Sequence, residues 1–210
     1  MQDGYTHIVL ILDKSGSMAP KKSELIVGFN HFLEEQKKLP GKATISITQF
    51  STGVAQTGVL PLQVVAPLED ATYQPSGWTA LLDAIGMTLD TVGAELAALP
   101  EDLRPSQVIV GIFTDGEENY SKEYTREQVK AKIKEQRDVY KWQFVFIGTE
   151  DINVKEVAAK LYVDMHCSVP ASAVGSRKAM SHITDDVSSY RSGGADALQR
   201  NYIQPKNGNN

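Results

Sequence analysis

One cysteine, Cys167, occurs in 210 residues. No intrachain disulfide and no cysteine-rich zinc site can form. Histidine is scarce too: His7, His31, His166 and His182 fall on different segments with no metal-ligand spacing. Structural or surface roles are expected of all four. No apolar run approaches the ~18 residues of a membrane helix, so no membrane partner is expected. Met1-Gln2-Asp3-Gly4-Tyr5 lacks a basic segment followed by an apolar stretch. A signal peptide is therefore not expected, and a cytoplasmic setting is. In that setting Asn119-Tyr120-Ser121 reads as a chance match to a glycosylation acceptor. An excess of basic charge is also missing. The formal net charge is −5, which argues against nucleic acid as a partner, because phosphate binding needs a basic surface. Internal repeats and low-complexity domains are absent.

What remains is an alternation of apolar runs and amphipathic stretches. Ile8-Val9-Leu10-Ile11-Leu12 reads as a strand buried on both faces. Residues 21–39 read as a helix with Leu25, Phe29, Phe32, Leu33 and Leu39 on one stripe, stopped by Pro40-Gly41. Residues 43–50 alternate, with Ile45 and Ile47 inward and Ser46 and Thr48 outward, as a half-exposed strand does. The tight connection at Ser51-Thr52-Gly53 implies an antiparallel neighbour over 59–65. A second helix runs from Leu81 to Leu99, before Pro100. Strands follow at 108–113, 144–147 and, more weakly, 165–169. Between them lie a charged helix over 125–140, with Val129, Ile133 and Val139 as its apolar face, and a short one over 154–161. A last helix over 172–190 carries Val174, Ile183 and Val187 inward. This order predicts an α/β fold with a mostly parallel, doubly wound sheet and right-handed crossovers. A single domain over 1–200 and a disordered tail over 201–210 are expected.

Three distant segments carry hydroxyls and carboxylates where such a sheet gathers them. Asp13-Lys14-Ser15-Gly16-Ser17-Met18 closes the first buried strand, and Phe113-Thr114-Asp115-Gly116 closes a later one. Gly77-Trp78-Thr79 opens the second helix. In open α/β sheets the loops at the carboxyl ends of strands meet at one edge, where ligands bind. Asp13, Ser15, Ser17, Thr79 and Asp115 could converge there as an all-oxygen site. Hydroxyls with few carboxylates suit a hard cation, Mg²⁺ foremost, with Mn²⁺ or Ca²⁺ as substitutes. If one Asp coordinates directly, the shell keeps a net charge of about +1 and favours an incoming carboxylate over water. A protein presenting an exposed Asp or Glu is the partner this chemistry implies.

Asp13-Lys14-Ser15-Gly16-Ser17 resembles the Asp-x-Ser-x-Ser signature of von Willebrand factor type A (vWA) domains. Thr79 in Ser76-Gly77-Trp78-Thr79-Ala80 and Asp115 in Thr114-Asp115-Gly116 stand where that family's metal-ion-dependent adhesion site (MIDAS) places its distant Thr and Asp. The resemblance spans about residues 5 to 190 and is closest to stand-alone intracellular bacterial and phage members. It implies a Rossmann-like sheet with one antiparallel edge strand, helices on both faces, and a Mg²⁺-mediated interaction role.

A Mg²⁺-dependent phosphoryl-transfer enzyme is the alternative. Phosphatases of the haloacid-dehalogenase type also begin with an Asp after the first strand, but they usually need a second acid two residues later. That position is Ser15, which counts against an enzyme. A subunit of a larger assembly is a third reading. Around the site, Thr79 could instead cap its helix, and Asp13 could merely bond loop amides. Glu117 and Glu118 read as a solvated acidic turn or as ligands of a second cation. Trp78 suits an interface or packing under its loop. Cys167 reads as inert core, and the charges of Lys130, Lys132, Lys134, Glu135 and Arg137 as a solvated helix face.

Overall fold

Every residue from Tyr5 to Asp13 is buried, because β1 (Gln2–Asp13) runs through the middle of the sheet. The computed structural model describes residues 1–202. The further elements are α1 (Lys22–Lys38), β2 (Lys42–Phe50), β3 (Val54–Gln56), β4 (Leu60–Pro61), α2 (Leu81–Ala97), β5 (Pro105–Thr114), α3 (Arg126–Asp138), β6 (Gln143–Thr149), α4 (Val154–Lys160), β7 (Met165–Val169) and α5 (Ala173–Arg200). The seven-stranded sheet has the order β3-β2-β1-β5-β6-β7, with β4 also on β2. The pairs β1–β2, β1–β5, β5–β6 and β6–β7 are parallel, while β3 and β4 pair antiparallel to β2. This is the expected mostly parallel α/β sheet with an antiparallel edge.

Alternation along β1 divides the core. Ile8, Leu10 and Leu12 pack with Leu25, Phe29 and Phe32 of α1 and Met180, Ile183 and Val187 of α5. Val9 and Ile11 pack on the other face with Leu81, Ile85 and Leu89 of α2, Val129 and Ile133 of α3, and Val154 and Ala158 of α4. Each such buried Leu, Ile, Val or Phe contributes ~1.5–3 kcal/mol.

Several sequence expectations change here. The antiparallel edge comes in two pieces: the strand expected over 59–65 pairs only at Leu60 and Pro61, then turns into a 3-10 turn over Leu62–Val64. Pro61 has no N–H to extend a ladder. β2 is not half-exposed, since Ser46 and Thr48 are buried. Their hydroxyls find partners inside: Ser46 Oγ lies 3.3 Å from His7 Nε2 and Thr48 Oγ1 lies 2.8 Å from Thr88 Oγ1. Val139 follows the end of α3 and is 64% exposed; Val174, in the first turn of α5, is 51% exposed. α5 continues past Tyr190 to Arg200 with a break at Gly194, and Leu198 beyond the break is fully buried. Asn201 Nδ2 donates to Asp186 Oδ1 at 2.8 Å, and Tyr202 Oη donates to Asp186 Oδ2 at 2.5 Å. The rest of the expected tail lies outside the described residues.

His7 is a buried structural residue, as expected. Its Nδ1 lies 2.9 Å from Thr44 Oγ1, and burial pushes its pKa down to about 3. The unfolded chain takes up a proton below about pH 6.5 while the folded chain does not, so the stability that neutral His7 allows is lost as pH falls toward 3. Between pH 6.5 and 5 this costs about 2 kcal/mol. Urea unfolding at the two pH values is expected to show this as a difference between proteins: His7→Gln should gain about 2 kcal/mol on the parent as pH falls from 6.5 to 5.

Candidate metal centre

β1 is flanked by β2 on one side and β5 on the other, so the chain reverses its direction of winding there. The crevice at the carboxyl ends of β1 and β5 is the switch point where such sheets bind ligands. Leu12 stands beside Phe113 in register, which brings Asp13 beside Thr114 and sets Asp115 at the edge. The first loop curls at once into a 3-10 turn, Gly16–Lys21, that leads directly into α1.

The side chains form one connected set. Asp13 Oδ1 accepts from the Ser15 amide at 2.7 Å, and Oδ2 accepts from Thr114 Oγ1 at 2.6 Å. Ser15 Oγ and Ser17 Oγ are 3.0 Å apart, and Ser17 Oγ donates to Asp115 Oδ1 at 2.7 Å. Lys21 Nζ donates to Asp115 Oδ2. Tyr73 Oη donates to the main-chain oxygen of Asp13. Asp13, Ser15, Thr79 and Asp115 are buried, while Ser17 is exposed at the mouth. Asx-type bonding of Asp13 to its loop is therefore real, and it accompanies the cluster.

Thr79 enters from the second loop, and backbone stitches place it. The Gly16 amide donates to Gly77 O at 3.0 Å, and the Ser76 amide donates to Lys14 O at 2.9 Å. The Trp78 amide reaches Thr52 Oγ1 at 3.0 Å, and the Thr79 amide reaches Asn119 Oδ1 at 2.9 Å. Gly77 makes this possible: its φ is +77°, and a Cβ there would sit 2.3 Å from Thr52 Oγ1. Any other residue would strain the backbone and collide. A Cβ built on Gly116 would lie 3.3 Å from Thr79 Oγ1 and 4.0 Å from Ser17 Oγ. The bare glycine thus lets the loop after β5 lie close to both hydroxyls. Thr79 does not cap α2, whose N-cap is Ala80 without a side-chain bond.

Electrostatics follow from burial. Desolvation raises the Asp13 pKa to about 6 against the lowering effect of the Thr114 and Ser15 hydrogen bonds, with Asp115 adding a smaller upward push. Burial, then the charges of Asp13 and Asp115, hold the Tyr73 hydroxyl protonated far above its usual range. Among the described residues no group of three or more His, Cys, Asp or Glu gathers as a metal site. The cluster at Asp13 has two carboxylates and three hydroxyls, a donor set of hard oxygens short of negative charge.

The neighbouring acids resolve differently. Glu118 turns inward and accepts from the Leu82, Tyr120 and Ser121 amides at 2.7–2.8 Å and from Ser121 Oγ at 2.6 Å. Its oxygens serve the start of α2 and the following loop. Asp83 does the same, accepting from the Lys122, Glu123 and Tyr124 amides. Glu117 is exposed. Trp78 stands at the rim, 62% exposed. Cys167 is half-buried. The residues that sequence reasoning missed are Lys21, Tyr73 and Thr114, while Glu118 braces its loop instead of being solvated or binding a second cation. Only Thr114 had a signal, as the hydroxyl next to Asp115 at a strand end.

No family model matches the chain, and no curated protein matches it in sequence. Solved structures do match in shape. The PilB minor pilin from Streptococcus sanguinis superposes with a TM-score of 0.61 at 13% identity, covering 87% of this chain and 61% of that one. A von Willebrand factor type A structure from Catenulispora acidiphila gives 0.58 at 12%, covering 88% of this chain and 42% of that one. The vWF domain of the type V pili tip protein Mfa5 from Porphyromonas gingivalis gives 0.58 at 8%, covering 87% and 95%. The chain thus spans about three fifths of the PilB pilin and nearly all of the Mfa5 domain. At these identities the likeness is one of fold, and the fold is vWA-like.

Proposed function

We propose that this domain is a divalent-cation-dependent protein-interaction module. Asp13, Ser15, Ser17, Thr79 and Asp115 would hold Mg²⁺, or Mn²⁺ or Ca²⁺ in its place. The single observation that carries this reading is the connected set of Asp13, Ser15, Ser17 and Asp115 oxygens at the carboxyl ends of β1 and β5, with the Thr79 hydroxyl brought alongside at Gly116. The ion would supply a Lewis-acidic position for a carboxylate oxygen of a partner's Asp or Glu. The chain's own residues orient that position: Tyr73 and Thr114 fix Asp13, and Asn119 fixes Thr79. Glu118 has both carboxylate oxygens engaged by its own loop and the start of α2. Exposed Trp78 offers an aromatic anchor at the rim, the residue type that dominates interface hot spots.

No acid stands two residues after Asp13, so the phosphoryl-transfer reading lacks its proton donor, and the module is read as non-enzymatic. Proteins of like fold are described as a pilus adhesin and a pili tip protein, which supports a binding role by analogy of fold. A cytoplasmic setting is part of the proposal.

Capture on immobilised protein from source-cell lysate tests it. A protein retained with Mg²⁺ and released by chelator is expected, with Trp78→Ala weakening retention at least about tenfold. Binding that survives the chelator contradicts the proposal.

A further inference from the structure

Lys21 is the member of this site that no motif announces. It is 7% exposed, and its ammonium is paired with an Asp115 side chain that is fully buried. A buried ammonium is costly unless paired, and this one is delivered from a fixed point, the junction of the Gly16–Lys21 turn and α1. The other Asp115 oxygen is held by Ser17.

We infer that Lys21 is a positioning residue that sets the charge of the loaded site, and so makes it selective for an acidic partner. The inference rests on the metal-site reading above. Asp13 and Asp115 bring two negative charges, and Lys21 returns one positive. A divalent ion then leaves the site with an excess of about one positive charge, which a partner's carboxylate cancels. Without the ammonium, the two carboxylates would neutralise the ion unaided, and Asp115 Oδ2 would be free to bind it. The ion would be held more tightly, and a carboxylate arriving from outside would gain less. Lys21 therefore trades metal affinity for affinity toward acidic groups.

The test uses the metal alone. Calorimetric titration of Mn²⁺ into the full chain is compared with Lys21→Gln, which stays polar, and Lys21→Arg, which keeps the charge. Lys21→Gln is expected to bind Mn²⁺ at least about tenfold more tightly than the parent, because a like charge close to the ion is removed. Lys21→Arg is expected to stay near the parent. The melting temperature provides a second readout: Mn²⁺ should raise it more in Lys21→Gln than in the parent, as tighter binding to the folded state requires. If the parent binds Mn²⁺ and Lys21→Gln binds it equally or more weakly, the role of Lys21 is overturned and the metal site stands. If neither parent nor variants bind, both readings fall together.

Discussion

Asp13→Asn is expected to abolish metal binding and, at the same time, to stabilise the metal-free domain at neutral pH. Asp13 Oδ1 and Oδ2 face the Ser15 amide and Thr114 hydroxyl. An Asn can keep both contacts, since Thr114 Oγ1 can turn to donate to Gly116 O, 3.0 Å away. What Asn cannot supply is the anion. Loss of one of two carboxylates should weaken Mn²⁺ or Mg²⁺ at least about a hundredfold. The gain in stability comes from the same charge. Burial lifts the Asp13 pKa from 3.8 to about 6, so ionising it costs the fold about 3 kcal/mol, at about 1.4 kcal/mol per pKa unit. The sign follows: this stability is present below about pH 4 and lost as pH rises through about 6. His7 acts in the opposite sense over nearly the same interval, because its folded pKa of about 3 makes acid unfavourable. The two nearly cancel between pH 4 and 6 in the parent. Asp13→Asn should unmask the acid loss from His7 and be more stable than the parent at pH 7.5 in chelator. Equal urea midpoints at that pH would count against the buried-charge account.

Glu118→Ala is expected to cost about 3 kcal/mol, lowering the melting temperature by about 6–12 °C for a chain of this size. The carboxylate accepts three amides and a hydroxyl, and its loss orphans the amide of Leu82 at the start of α2. The effect should spread to the site. Asn119, the next residue, holds the Thr79 amide, and its own amide donates to Thr79 O at 3.0 Å. Cation affinity should therefore fall by about tenfold although Glu118 touches no ion. Glu118→Gln, which keeps an acceptor, should recover part of both losses. A stability unchanged in Glu118→Ala would show that the carboxylate does not hold this loop.

Much of this arrangement was legible in the residue order. β1, β5 and β6 read as unbroken apolar runs because helices cover both faces of each. Asp13, Ser15, Ser17, Thr79 and Asp115 stand out together, because strand ends and a helix start are visible in the local pattern. β2 reads as half-exposed in the sequence because Ser46 and Thr48 look like a solvent face. They are buried, and only hydroxyl and imidazole partners about 40 positions away reveal it. Lys21, Tyr73 and Thr114 escaped for the same reason. Their partners lie 94, 60 and 101 positions off in sequence, and nothing beside them marks those encounters. Helical spacing places Val139 and Val174 inward, yet they fall at or beyond helix ends, where the stripe no longer faces the sheet.

The central claim is that Asp13, Ser15, Ser17, Thr79 and Asp115 form one cation site. Anomalous diffraction from crystals of the full chain grown with Mn²⁺ tests it most directly. A single manganese peak is expected among the oxygens of Asp13, Ser15, Ser17, Thr79 and Asp115, and is expected to be lost in Asp13→Asn. Manganese bound elsewhere, or no peak there at saturating metal, would contradict the account.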